Sequence, residues 1–144
     1  MNATIIKFGF PDTLIKEYEH WCVLLRPAQA TLGALVLARK GEETAFGALP
    51  PPAYAELGIA TRDIEASLKA FRPYDRINYL MLMMVDPHVH FHVLPRYQAP
   101  QSFEGVSFAD KGWPAVPDLG AAVTPHAALR NKLVDALKAC WAEH

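Results

Sequence analysis

The sequence predicts an α+β domain in which about five antiparallel strands form one sheet. Short apolar segments, several with the two-residue alternation of β-strands, stand on both sides of one long segment with helical periodicity. The last two predicted strands are joined by only two residues, and so short a connection requires antiparallel neighbours. The 144 residues fit a single domain, with its core at about 14–96, an irregular loop at 97–123 and a C-terminal helix at 124–143.

The N-terminal part of the chain is predicted to be mostly strands. Residues 4–8 alternate loosely and predict a short edge strand, and further strands are predicted at 14–18, 20–26 and 31–39. The segment at 20–26 is mostly apolar, so we expect it at the centre of the sheet. One short helix is predicted at 42–49.

Two longer helices are predicted from apolar residues spaced three and four positions apart, which form one stripe on a helix. The central helix at 53–71 follows three prolines, a residue tolerated in a first helical turn. The C-terminal helix is predicted to begin with Thr124 as its N-cap and Pro125 in its first position. The two stripes consist of Leu57, Ala60, Ile64, Leu68 and Phe71, and of Leu129, Leu133, Leu137 and Trp141.

A pair of strands is predicted between these helices. Residues 76–85 read RINYLMLMMV, a nearly continuous apolar run typical of a strand buried on both faces. Asp86 and Pro87 then form a tight link to the next strand, which begins at His88. Pro95 lacks a backbone N–H and is expected to end the pairing of that strand.

Composition argues against several classes of function. The net charge of −1 at pH 7 provides no basic surplus for binding nucleic acid or an anionic membrane. No apolar run approaches the roughly 18 residues that span a bilayer, and the N-terminal segment does not resemble a signal peptide. Cys22 and Cys140 lack CxxC spacing, so we interpret them as small buried residues of a reduced compartment. We therefore expect a cytoplasmic protein.

Three of the six histidines lie at alternate positions: His88, His90 and His92. Side chains at i, i+2 and i+4 of a strand share a face, so the sequence predicts three imidazoles on one side of the strand. The β-branched and aromatic residues between them are expected to face the core.

Four interpretations of this histidine face compete. Structural histidines would leave six ring nitrogens in need of partners. A zinc site would use imidazole ligands, but the outer two histidines stand roughly 13 Å apart at ~3.3 Å per residue, and Asp86, Asp110 and His126 have no recognisable motif spacing. Nucleophilic catalysis would use one imidazole to attack phosphorus, with neighbours that donate a proton and orient it. A nucleotide-binding module would use the same face without turnover.

The segment His88-Val89-His90-Phe91-His92-Val93-Leu94 matches the His-φ-His-φ-His-φ-φ signature of the histidine triad (HIT) superfamily at every position, where φ is hydrophobic. Leu94-Pro95-Arg96 also resembles dinucleoside polyphosphate hydrolase members of that superfamily. The upstream order of strands and a long helix is similar too, so that the resemblance covers roughly residues 14–96.

This resemblance implies hydrolysis or transfer at a nucleoside 5′-phosphoryl group through a covalent nucleotidyl-histidine. His90 would attack the α-phosphate, His92 would contact the phosphate and assist the leaving group, and His88 would orient His90. Family members are commonly homodimers built on a shared sheet. The resemblance implies no required cofactor, with a divalent metal ion as an optional companion of the substrate phosphates.

The resemblance also implies three substrate-binding residues. Asn78 lies near the place of an asparagine that often contacts the site, and Leu25 and Arg26 lie near that of an acidic residue that holds the ribose. The Gly-Gln-Ser/Thr segment that commonly precedes the triad is replaced here by Met83–Pro87. This departure keeps open a non-catalytic nucleotide-binding function, and the expected partner is a nucleotide or dinucleotide in either case.

Overall fold

The computed structural model describes residues 1–141, which contain three α-helices and seven β-strands. The helices are α1 (Ala3–Lys7), α2 (Pro51–Phe71) and α3 (Ala127–Trp141). The strands of the main sheet are β1 (Leu14–Glu17), β2 (Trp21–Leu25), β3 (Leu35–Arg39), β4 (Arg76–Leu80) and β5 (His90–Arg96). A separate hairpin consists of β6 (Gln101–Phe103) and β7 (Val106–Phe108). Residues 142 and 143 of the predicted C-terminal helix lie outside the described residues.

The main sheet has five antiparallel strands in the order β1-β2-β3-β5-β4, which confirms the predicted fold class. The histidine strand β5 therefore has β3 on one side and β4 on the other. His92 pairs with Val36 of β3 and with Leu80 of β4, whereas His90 pairs with Ala38 of β3. Because strands flank His92 on both sides, the backbone at this histidine is firmly held.

One face of the sheet carries α2, α3 and the larger part of the core. Leu37 and Val93 of the sheet are fully buried there, together with Leu68 of α2 and Leu133 of α3. Burial of a leucine side chain of this kind stabilises a fold by about 1.5–3 kcal/mol. The predicted apolar stripes are therefore the ones that face the sheet. None of the helices within the described residues combines the length and the apolar character that a membrane span requires.

The opposite face of the sheet carries the histidines and α1. Ile5 of α1 is fully buried against β2 and β3. Asn2 fixes the helix because its Oδ1 accepts from the Ile5 N–H at 3.0 Å, while its Nδ2 donates to the carbonyls of Arg39 and Gly41 at 2.9 and 2.8 Å. The strand predicted at 4–8 is therefore wrong: a cap with long-range partners outweighs the β-branched composition of this segment.

The strand predicted at 76–85 ends at Leu80. The chain then leaves the sheet, with Met83 in the left-handed region at φ 47°. Met84 and Val85 are 87% and 81% exposed, so the second half of the apolar run is a surface loop and not a buried strand. The predicted two-residue link before the histidine strand is accordingly wrong, because the connection occupies residues 81–89.

Two smaller predictions also differ. Pro95 does not end the pairing of β5, because it lies opposite Ile77 of β4. The pairing with β3 extends only to Val93, so no neighbour on that side requires the missing N–H of the proline. The helix predicted at 42–49 is reduced to a single 3₁₀ turn at Phe46–Ala48.

The start of α3 is set by a histidine. Nδ1 of His126 accepts from the backbone N–H of Leu129 at 3.3 Å, the type of bond that an N-cap side chain makes. Thr124 is therefore not the cap that the sequence predicted, and the helix begins at Ala127.

The predicted irregular loop at 97–123 contains the β6–β7 hairpin. Glu104 and Gly105 connect the two strands and both have positive φ, at 51° and 78°, as a two-residue hairpin turn requires. Tyr97 and Phe108 are each 2% exposed, so the segment is anchored in the core at both ends of the hairpin.

Candidate active site

His90 begins β5 and is almost fully buried. Its Nδ1 lies 2.7 Å from the carbonyl oxygen of His88. Since a carbonyl oxygen only accepts, Nδ1 carries the proton, and in the neutral ring the lone pair is on Nε2. The backbone thus fixes both the orientation of the ring and the nitrogen that is able to attack an electrophile.

His92 lies on the same face, with its ring centre 5.1 Å from that of His90. Nε of Arg26 is 3.2 Å from Nδ1 of His92. A guanidinium N–H can only donate, so Nδ1 holds the lone pair and Nε2 carries the proton. Burial, followed by the charge of Arg26, lowers the pKa of His92 to about 4. The two rings therefore have opposite tautomers, with a lone pair on Nε2 of one and a proton on Nε2 of the other.

The imidazole of His88 faces two other parts of the chain. Its Nδ1 lies 2.9 Å from Oγ1 of Thr4 in α1, and its Nε2 lies 3.0 Å from the carboxylate of Glu42. His88 precedes β5, so the prediction that three imidazoles share one strand face is wrong. The carbonyl of His88, and not its ring, contacts His90.

His90 and His92 line a cleft of about 320 Å³, a size typical of small-molecule sites. Its other walls come from α1, the end of β2, the loop before the triad and the long loop: Lys7, Phe8, Arg26, Leu82, Met83, Met84, Val85, Asp86 and Leu119. The ring centre of Phe8 lies 5.5 Å from the ring centre of His90 and 5.7 Å from that of His92. An ion pair of 2.7 Å between Lys7 and Asp86 joins α1 to the loop before the triad.

The structure brings one of the three predicted substrate-binding residues to this cleft. Arg26 lines it beside the histidines. Leu25 is fully buried in the core on the helix-bearing face of the sheet, so it does not reach the cleft. Asn78 accepts at Oδ1 from Nη1 of Arg96 at 2.7 Å and lines a different cavity of about 720 Å³ along β4.

Sequence reasoning missed the contribution of α1. Thr4, Lys7 and Phe8 reach the site because α1 packs on the histidine face, and the predicted strand at 4–8 concealed this. Asn2, a residue typical of helix N-caps, was the available signal. The loop before the triad was missed for a related reason, since its apolar side chains suggested a buried strand.

The metal ligands considered from the sequence each have another partner in the described structure: Asp86, Asp110 and His126. Within residues 1–141, a different group, Glu19, His20 and Glu56, has potential ligand atoms within 4.8 Å of one another. Oε1 of Glu56 already accepts from the backbone N–H groups of His20 and Trp21, at 2.7 and 3.1 Å. Holding the start of β2 accounts for the position of that carboxylate.

No protein family model and no curated protein matches the chain. Its structure is similar to a histidine triad (HIT) protein from Sinorhizobium meliloti, with TM-score 0.74 and 18% identity over 95% of this chain and 93% of that chain. A hypothetical histidine triad nucleotide-binding protein from Sulfolobus tokodaii gives TM-score 0.71 and 15% identity over 97% and 90%. A zinc-bound histidine triad family protein from Mycobacterium smegmatis gives 0.62 and 20% over 96% and 90%. The chain therefore has the histidine triad fold, as the triad sequence indicated.

Proposed function

We propose that this protein is a histidine triad nucleotide hydrolase or nucleotidyl transferase that acts on nucleoside 5′-phosphoryl compounds. In the first step, Nε2 of His90 attacks the α-phosphorus, the bond to the leaving group breaks, and a nucleotidyl-histidine forms. In the second step, water or another acceptor attacks the same phosphorus and releases the ring. Dinucleoside polyphosphates and nucleoside phosphoramidates are the two substrate classes that fit this chemistry.

The observation that carries the proposal is the hydrogen bond from Nδ1 of His90 to the carbonyl of His88. This bond leaves the lone pair on Nε2. It also provides a dipole that stabilises the positive charge gained by the ring when the N–P bond forms. A buried ring that is already oriented loses little freedom in the reaction.

A cation in the cleft supports an anionic substrate. Arg26 lines it, and hydrogen bonds from cations to phosphate oxygens are stronger than neutral ones. Lys7 also lines the cleft, but its ammonium group is paired with Asp86. We infer that Arg26 supplies part of the phosphate binding that a Gly-Gln-Ser/Thr segment would give. The nucleotide-binding description of the Sulfolobus tokodaii protein supports a nucleotide as the ligand of this chain.

A divalent metal ion is proposed only as a companion of the substrate phosphates, which is how magnesium usually binds at nucleotide sites. Asp86, the carboxylate that lines the cleft, is paired with Lys7, so it already has a cationic partner other than a metal ion. We expect dialysis against EDTA to leave hydrolysis of a dinucleoside polyphosphate largely intact. Complete loss of activity, restored by zinc, would instead indicate a resident metal, as in the zinc-bound Mycobacterium smegmatis protein.

We also propose that the protein is a cytoplasmic homodimer. β4 is one of the two edge strands of the main sheet, and an open strand edge can pair with a strand of a second copy. Cys22 is a buried free thiol, which suits a reducing compartment. Size-exclusion chromatography with light scattering will distinguish a dimer from a monomer.

One pair of variants tests the enzymatic proposal. Wild-type protein, His90→Asn and the matched control His126→Asn are incubated with diadenosine polyphosphates and with adenosine phosphoramidate. We expect loss of His90 to lower kcat by at least about 1,000-fold, because the nucleophile is removed. The control keeps full activity, since His126 is exposed and asparagine is also a good N-cap.

A non-catalytic nucleotide-binding protein remains the second candidate. The exposed apolar side chains of Met84 and Val85 favour it, because they stand in the segment where the family commonly has phosphate-binding residues. If wild type and His90→Asn both fail to turn over either substrate yet bind a nucleoside monophosphate in calorimetry, this second function replaces the first.

A further inference from the structure

We propose that this site is selective for phosphoric anhydrides over phosphoramidates because Arg26 keeps His92 in its neutral form. The inference rests on the proposed function and specifies its substrate class. Its basis is a contact that joins residues 66 positions apart, the hydrogen bond from Nε of Arg26 to Nδ1 of His92.

The position of Arg26 is fixed independently of any ligand. Its backbone N–H donates to the carbonyl of Ala34 at 2.9 Å, and its Nη1 donates to the carbonyl of Ala28 at 2.5 Å. The guanidinium is thus already directed at Nδ1 of His92 before any substrate arrives. An arginine side chain is not deprotonated in proteins, so Nδ1 cannot bind a proton without losing this donor and facing a like charge at close range.

The other charged groups around His92 do not reverse this effect. His90 lies 5.1 Å away by ring centres and, once it bears a nucleotidyl group, is itself positively charged. Asp86 favours a protonated His92, but its carboxylate is paired with Lys7 at 2.7 Å. Burial and the charge of Arg26 therefore outweigh Asp86, and His92 offers one N–H at Nε2 as a hydrogen-bond donor and not as a source of a proton.

A phosphoric anhydride needs no proton for its departure. When the lone pair of His90 Nε2 forms the N–P bond, the P–O bond to the leaving phosphate breaks and its electron pair stays on that oxygen. The leaving group is a stable phosphate anion. The N–H of His92 can meanwhile donate to a phosphoryl oxygen and remain intact. Attack by water then breaks the N–P bond, returns the electron pair to Nε2 of His90 and releases a proton to solvent.

A phosphoramidate has the opposite requirement. Breaking its P–N bond leaves the electron pair on nitrogen, and an amide anion is not a viable leaving group in water. A proton must reach that nitrogen as the bond breaks, so the reaction requires a general acid. A neutral His92 held by Arg26 does not supply one.

The test compares two activities in one preparation. We expect wild-type protein at pH 7 to hydrolyse diadenosine tetraphosphate with a kcat/KM at least about 100-fold above that for adenosine phosphoramidate, the lower end of what a general acid contributes. At pH 6, the ratio of kcat/KM for the anhydride to that for the phosphoramidate should be at least about tenfold lower in Arg26→Met than in wild type. Arg26→Lys should give an intermediate ratio. The exposed Arg62→Met on α2 is the matched control and should keep the wild-type ratio.

Two further measurements exclude a merely structural effect. Titration by NMR should show the pKa of His92 rising from about 4 toward 6.5 in Arg26→Met. If that variant does not fold, the pH profile of wild type decides. The kcat/KM for the phosphoramidate divided by that for the anhydride should rise as pH falls from 7 to 5, because a growing fraction of His92 is protonated and able to act as the acid. A change at His90 affects both substrates equally and leaves this ratio unaltered.

The possible failures are distinguishable. Equal or better cleavage of the phosphoramidate by wild type overturns the selectivity while leaving the proposed function intact, and so does a ratio that Arg26→Met does not change. Absence of turnover with both substrates overturns the proposed function and this inference together.

Discussion

Arg26 and Arg96 are two arginines near the same face of the sheet with different electrostatic surroundings. Arg96 donates from Nε and Nη2 to both carboxylate oxygens of Asp110, at 2.6 and 3.0 Å, and from Nη1 to Asn78. The two charged side chains are only 4% and 1% exposed. Arg26 instead donates to the Ala28 carbonyl and to an imidazole, neither of which carries a negative charge.

The difference indicates which arginine stabilises the fold and which places its positive charge at the cleft. The charge of Arg96 is neutralised by a carboxylate, so this residue holds the end of β5 to the long loop. The positive charge of Arg26 has no such compensation from these two partners, so it is directed at the histidine and at whatever anion enters the cleft. Substitutions at Asp110, His92 and Asn78 separate these two roles.

Removal of Asp110 should have the largest effect on stability. Asp110→Ala leaves the buried guanidinium of Arg96 without its counter-charge, which costs about 3–5 kcal/mol. It also removes the acceptor of the Tyr97 N–H. The free energy of unfolding of a whole domain is only about 5–15 kcal/mol, so chemical denaturation should show that Asp110→Ala has lost a large fraction of it.

Two variants test the cause of that loss. The matched control Asp135→Ala, at an exposed site on α3, should change the free energy of unfolding by less than about 0.5 kcal/mol. The double variant Arg96→Met/Asp110→Leu should be more stable than Asp110→Ala, because it removes the uncompensated charge. A double variant no better than the single one would show that packing, and not charge, dominates at this position.

The pH dependence of stability should report on His92 and therefore on Arg26. The folded-state pKa of His92 is lowered from 6.5 to about 4, so between these values the unfolded chain binds a proton that the folded chain does not. Stability then falls as pH decreases from about 6.5 to 4, by about 2–3 kcal/mol from this residue. Above pH 6.5 both states are neutral at this ring and the contribution is flat.

Comparison with His92→Asn isolates this contribution. Urea denaturation at each pH gives the free energy of unfolding of wild type and of His92→Asn. The difference between these two free energies should change between pH 6.5 and 4 and be constant above pH 7. In Arg26→Met the change should be smaller, because the charge of Arg26, the second of three causes of the lowered pKa after burial, is gone. A difference that stays constant from pH 7 to 4 would contradict the lowered pKa.

The histidine strand could be predicted from the sequence because its pattern is local. Alternate positions of one strand fix which side chains share a face, and this holds for His90 and His92 in β5. The same argument separates Leu25 from Arg26: neighbours on an extended chain point to opposite faces, so one of the two predicted contacts lies in the core and the other in the cleft.

The remainder of the site depends on contacts that no local pattern encodes. Thr4 and His88 are 84 positions apart, and Arg26 and His92 are 66 apart. The helix α1 is held in place because Asn2 bonds to Arg39 at the end of β3 and to Gly41 just beyond it. Likewise the apolar loop that contains Met84 resembles a buried strand in sequence, and only the fold shows that it borders the cleft.

The smallest effect is expected at Asn78, the neutral partner of Arg96. The resemblance to the family predicts that this residue contacts substrate, whereas the structure gives its Oδ1 to the Arg96 guanidinium at 2.7 Å. Asn78→Ala should therefore lower stability by about 1–2 kcal/mol, the range for a hydrogen bond to a charged group. It should leave the KM for diadenosine tetraphosphate within twofold of wild type, at a temperature where both proteins are folded.

The exposed Asn131→Ala on α3 provides the matched control for stability. A tenfold rise in KM for Asn78→Ala, without a loss of stability, would reassign Asn78 to the substrate and extend the cleft toward the cavity along β4.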